Sequence, residues 1–210
     1  MEVLELKAIR NKKIKLYLIR SENLEFSPKE LKELSAFLKE QKFRFAVVDF
    51  NDDDVKKYYE TPLLEFLNKF KLPYYKVDIP DNARDYLYVE ILEKEIQIKE
   101  LENEYEHLCY DLNEKESFKA QNLKSWIYIL KKEVETKKEY LEKTLRPQWI
   151  VKKILDISKM IQNDKFSIMH FTHGEIFKEL KSLFEKHNIK VIKFDINNIN
   201  IKQILVDTEV

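Results

Sequence analysis

Asp49 lies within the apolar run Phe45-Ala46-Val47-Val48-Asp49-Phe50. A carboxylate in such a setting is drawn out of water and needs a partner, which makes Asp49 a candidate for acid–base or metal chemistry. The run Asn51-Asp52-Asp53-Asp54 follows at once. Three aspartates could supply hard oxygen ligands to Mg²⁺ or Mn²⁺. The same residues would equally cap a helix and complement its dipole. His170 and His173 flank Phe171-Thr172 just before Gly174. Histidine ligates metals and moves protons near neutral pH. Two histidines three apart in a strand point to opposite faces, so they share a site only if the backbone turns between them. Otherwise His170 is a core histidine and His173 caps the helix after Gly174. Arg146, before Pro147 and close to Trp149, completes the candidates.

The elements that must position these residues alternate between strand and helix. Lys15–Ile19 and Phe43–Phe50 read as strands buried on both faces, with Leu72–Ile79, Phe166–Phe171 and Lys190–Phe194 as three more. Ile199–Val206 is an edge strand or a tail. Ser27-Pro28-Lys29-Glu30 opens a helix, with Ser27 as N-cap and Glu30 closing a capping box. A second helix follows Asn51–Asp54 and carries Tyr58, Leu63, Leu64, Phe66, Leu67 and Phe70 inward, with a break at Pro62. Pro147 begins a third helix and Glu175–His187 forms a fourth. The expected fold is α/β, a mainly parallel sheet flanked by helices with right-handed crossovers. Ligands of such sheets bind beyond the carboxyl ends of the strands. Those ends carry Arg20–Asn23, Asp49 to Asp54, Asp78, and the pair His170 and His173.

Between the third strand and the Pro147 helix, Arg84–Leu145 reads as an inserted long antiparallel helical hairpin of coiled-coil type. Leu87, Ile91, Ile98, Leu101, Tyr105, Leu108 and Leu112 recur at alternating three- and four-residue steps, interrupted by Lys94. Leu123, Ile127, Leu130, Val134 and Leu141 repeat the pattern, interrupted by Lys137. Asn113–Ser117 joins the two arms, with Ser117 as N-cap of the second. Arms of about 28 residues would reach about 40 Å. The expected domains are therefore 1–83 with 146–210, and the hairpin 84–145.

Composition excludes several classes. Lys+Arg and Asp+Glu number 38 each, so the chain lacks the basic excess usual in nucleic-acid proteins. One glycine, Gly174, stands where average usage would give about fifteen. Phosphate loops built on several glycines are absent, and dinucleotide, Walker-type and kinase readings fail with them. A single cysteine, Cys109, forms no intramolecular disulfide and no cysteine metal cluster. No apolar run approaches the roughly 18 residues of a membrane span. The first residues lack the basic region and apolar block of a signal peptide, so the expected location is cytoplasmic.

In order along the chain, these stretches resemble the TraB/ChaN-like superfamily. Its first strand ends in Gly-x-x-His, its second is an apolar run with a Glu, an Arg-led helix comes later, and the next strand ends in a second Gly-x-x-His. Tyr17–Asn23 falls at the first motif, Phe45–Phe50 at the acidic strand, Arg146–Ile154 at the Arg helix and Ile168–His173 at the final motif. Arg20 stands for the first Gly, Asn23 for its His, Asp49 for Glu and His170 for the second Gly, while Arg146 and His173 match in type. The resemblance implies a site of Asn23, Asp49, Arg146 and His173. In a divalent-metal-dependent hydrolase, Asp49 and His173 would hold the metal and Arg146 would stabilise an oxyanion. With a histidine and both glycines replaced, that ligand set is poor. The preferred expectation is a binding or scaffold protein with a degenerate cleft, acting through its hairpin on another protein or on itself as a homodimer. The alternative is the metal-dependent, protease-like hydrolase. Neither nucleic acid nor membrane is an expected partner.

Overall fold

In a computed structural model of the chain, residues 12–21, 26–49, 62–110, 115–187 and 189–194 are described. Asn23, Asn51–Asp54, Tyr58, Leu112 and Ile199–Val206, for which the sequence sets expectations, lie outside these residues. The chain divides into two compact units, Met1–Pro80 with Arg146–Val210, and Asp81–Leu145.

The first unit is α/β. Its strands are β1 (Lys13–Ser21), β2 (Phe45–Val48), β3 (Tyr74–Lys76), β4 (Lys165–His173) and β5 (Lys190–Phe194). They form one five-stranded sheet in the order β3-β2-β4-β1-β5, and every pairing is parallel. Its helices are α1 (Pro28–Glu40), α2 (Pro62–Lys69), α5 (Arg146–Met160) and α6 (Phe177–Lys186).

The apolar residues of the central strands explain why both faces are covered. Ile14, Leu16 and Leu18 of β1, Phe45 and Val47 of β2, and Phe166 and Ile168 of β4 share one core with α5 and α6. The intervening Tyr17, Ile19, Ala46, Val48, Met169 and Phe171 share the other with Phe26, α1 and α2. A period of two thus sends alternate residues to opposite cores, and neither face is left polar. Right-handed crossovers demand the same arrangement: β1 to β3 progresses one way across the sheet, and β3 to β5 the other.

Local signals set the helix ends. Ser27 accepts from the Glu30 amide while the Glu30 carboxylate takes the Ser27 amide, a complete capping box. A π-helical turn, Leu141–Leu145, precedes α5. Pro147 accounts for it, because proline has no N–H to give and crowds the carbonyl four residues back. The α5 helix opens on Arg146, one residue ahead of the expected start. β3 is only three residues, shorter than the Leu72–Ile79 run. It lies at the sheet edge against a four-residue β2, so few of its residues have a ladder partner.

The second unit comprises α3 (Asp81–Cys109), α4 (Phe118–Tyr140) and the π turn. Ser117 is the N-cap of α4 and accepts from the Ala120 amide. Ile91, Ile98, Ile127, Leu130, Val134 and Leu141 are buried together, with Leu87, Tyr88, Leu101 and Tyr105 packed on them. Lys94 and Lys137, which break the apolar spacing, are answered by carboxylates: Lys94 bonds Glu133, and Lys137 bonds Glu90. The bond from Lys137 holds the Glu90 carboxyl below its usual range, and the bond to Glu133 raises the Lys94 ammonium. No helix among the described residues is long and apolar enough to cross a membrane.

Candidate functional site

The carboxyl edge of the sheet gathers five buried polar residues. Asp49 follows β2, Asp78 lies just past β3, His170 and Thr172 belong to β4, and Arg146 opens α5. Phe45, Val47 and Asp49 share parity, as do Ile168, His170 and Thr172. The same alternation that fills the α5–α6 core therefore brings these polar groups to one face. The connections after β2 and β4 lead to helices on opposite faces, the position at which ligands enter parallel sheets.

Two pairs dominate the geometry. His170 Nε2 lies 2.6 Å from Asp49 Oδ1, both side chains fully enclosed. The imidazole meets the Phe184 ring edge to face, with centroids 6.0 Å apart. Arg146 donates from Nε to Asp78 Oδ1 at 3.0 Å and from Nη2 to Oδ2 at 2.7 Å, a bidentate fork. Asp78 also accepts the Ile79 amide at 2.8 Å. Burial on its own would push the Asp49 carboxyl up. The charge and hydrogen bond of His170, then Thr172, then the charge of Arg146 together hold it below the usual carboxylate range. Asp49 Oδ2 and His170 Nδ1 meet no hydrogen-bond partner among the described residues.

No family model matches the chain, and no curated protein or solved structure matches it.

Of the four residues implied by the resemblance, Asp49 and Arg146 come together, and Asn23 lies outside the described residues. β4 runs without a turn through His173, which pairs in register with Ser21, so strand alternation puts His173 on the opposite face from His170. The histidine at hydrogen-bond distance from Asp49 is His170. Among the described residues, no group of three or more His, Cys, Asp or Glu side chains is set to hold a metal. Asp78 and Thr172 were missed as site residues. Parity within Phe166–Thr172 carried the signal for Thr172. Asp78 had only its place after a strand.

Gly174 has a local explanation. A Cβ built there would stand 2.7 Å from Arg20 Nε and 3.1 Å from Nη2, so the Arg20 guanidinium passes over a glycine. The guanidinium thus occupies the space a side chain at 174 would take.

Chemically, Asp49 can hold His170 in one orientation, and Arg146 can neutralise the two aspartates. Each charged group is committed to another. A general base has to reach its substrate, and neither Asp49 nor His170 has exposed side-chain surface.

Proposed function

We propose that this is a binding or scaffold protein of TraB/ChaN-like type, in which a degenerate cleft stabilises the sheet edge and Asp81–Leu145 makes the contact with another protein. In this reading Asp81–Leu145 is an antiparallel hairpin inserted into the α/β chain. Its cross-pairs support that: from Lys119, Lys131 and Lys138 to Glu142, the partners fall from Glu104 through Glu102 and Glu95 to Tyr88.

One observation carries the functional reading. The exposed large apolar side chains crowd into the helical unit, Tyr86, Leu92, Ile96, Phe118, Trp126 and Tyr128 among them, whereas the α/β unit exposes only Tyr75 and Met160 among its described residues. Aromatic and aliphatic side chains left in water in such number mark places where proteins meet. A groove of about 650 Å³ on α4, lined by Tyr128, Ile129, Thr136 and Tyr140 together with Lys132, Glu133 and Lys137, lies on the same unit. The enclosure of Asp49 and His170 favours this over the hydrolase.

The partner is a second copy or another protein. Benzoylphenylalanine placed at Leu92 or Tyr128 should cross-link to a second chain on irradiation, and at Tyr75 or Met160 it should not. Equal yields from both units would overturn the reading. Light scattering separates the two partners: a species of twice 25.5 kDa is the homodimer, and a 25.5 kDa species at every concentration leaves a different protein as the partner.

A further inference from the structure

The α3 helix carries a second apolar stripe. Val89, Leu92 and Ile96 follow at three- and four-residue steps on the side of the helix away from Ile91 and Ile98, and Tyr86 extends them by a turn. Their exposures run from 46% to 80%, against 1% for Ile91 and 7% for Ile98. The spacing is that of a coiled-coil seam with Val89 and Ile96 as one type of knob and Leu92 as the other. Lys99 ends it, so it is about 15 Å long.

The flanks of this stripe decide what can lie on it. The positions beside the seam on one edge are Glu93 and Glu100, and on the other Glu95 and Glu102. Glu95 and Glu102 are bonded to Lys138 and Lys131 of α4. Glu93 and Glu100 are exposed and pair with no cation among the described residues. A second copy of the same stripe would set acid against acid in either direction, Glu93 and Glu100 facing themselves when antiparallel and facing Glu95 and Glu102 when parallel. Like charges at flanking positions are how coiled-coil seams refuse a partner.

We infer that the Tyr86–Ile96 stripe of α3 docks an amphipathic helix of another protein whose flanking positions are basic. Its leucine-like knobs would cover Val89, Leu92 and Ile96, and its lysines or arginines would meet Glu93 and Glu100. This rests on the helical unit being a contact surface and names the chemistry of the partner on one face of it.

The probe is a fluorescein-labelled helical peptide with Leu at the seam positions and Lys at the flanks, titrated with the full chain and read by anisotropy. A second peptide carries Glu in place of each Lys. The basic peptide should bind with a Kd of about 10 µM and weaken as salt is raised. The acidic peptide should bind at least about tenfold more weakly. Leu92→Glu should weaken the basic peptide about tenfold or more, by placing charge under an apolar knob. Glu93→Lys/Glu100→Lys changes only exposed side chains, so circular dichroism should be unchanged while the preference between the peptides reverses. Absence of binding at about 100 µM, indifference to Leu92→Glu, or an unreversed preference would each overturn the inference. If cross-links from Leu92 persist in that event, the helical unit still makes contacts and only the basic partner is wrong. If the cross-links are missing too, both readings fall.

Discussion

Replacing Arg146 by Met should be among the most damaging single changes to the α/β unit. The Arg146 and Asp78 side chains are 10% and 2% exposed and share two hydrogen bonds. Met fills much of the same space, so packing is largely kept and the electrostatic loss is isolated. What remains is the Asp78 carboxylate in a nearly dry place without its fork, and Asp49 deprived of a stabilising charge. Breaking one side of a buried pair in this way costs about 3–5 kcal/mol. Asp78→Val should cost less, about 2–3 kcal/mol, since Arg146 is the more exposed partner and its long side chain can reach toward water. The double change removes the unpaired charge in either case, so the two single losses should together exceed the double loss by about 2–3 kcal/mol. Urea unfolding in a Trp126→Phe background lets Trp149 of α5 report on the α/β unit alone. A sum that matches the double within about 0.5 kcal/mol, or an Arg146→Met cost under about 1 kcal/mol, would show that the fork contributes no coupled stability.

Three further outcomes are expected. Asp49 has its pKa lowered in the fold, so its contribution is full above the unfolded value of about 3.9 and is lost as pH falls through the folded one; Asp49→Asn should therefore be less stable than the parent at pH 7, with the gap closing in acid titrations below about pH 4, and a gap that widened there would reverse the assignment. Ile98→Ala, at the buried contact of α3 with α4, should cost about 2–5 kcal/mol, and an unchanged urea midpoint by helical circular dichroism would show that this contact is not a core. Gly174→Ala should shift stability by no more than about 0.5 kcal/mol, because the glycine needs no positive φ and the exposed end of Arg20 can swing off; a loss of several kcal/mol would mean the guanidinium is held in place.

Much of the α/β unit was legible because its signals are local. The Ser27–Glu30 box sits within four residues, and short apolar runs bounded by polar residues mark strands covered on both sides. Edges were less legible. Leu72–Ile79 reads as eight apolar-rich residues, yet pairing is limited by the neighbour's length, which no window within β3 contains. The site shows the same division. Alternation along Phe45–Asp49 and along Phe166–Thr172 was enough to put Asp49, His170 and Thr172 on one face and His173 on the other. The register of β2 against β4, which sets Val47 beside His170, was not, and the Arg146–Asp78 fork joins residues 68 positions apart. Lys94 and Lys137 were read as breaks because their carboxylates, Glu133 and Glu90, come from the facing helix.

The two units handle their charges in opposite ways, and this bears on where function resides. At the sheet edge, Asp49, Asp78, Arg146 and His170 are withdrawn from water and paired with each other. Such a network is costly to break and contributes little net stability over an apolar replacement. On α3 and α4 the ion pairs are exposed and individually weak. The inward face is set by Ile91, Ile98, Ile127, Leu130 and Val134, while Val89, Leu92 and Ile96 stay in water. On the reading proposed above, a partner holds the chain at this open stripe, and the sealed edge takes no part. Substituting the stripe should therefore abolish partner contact without touching the fold, and substituting the sealed edge should do the reverse.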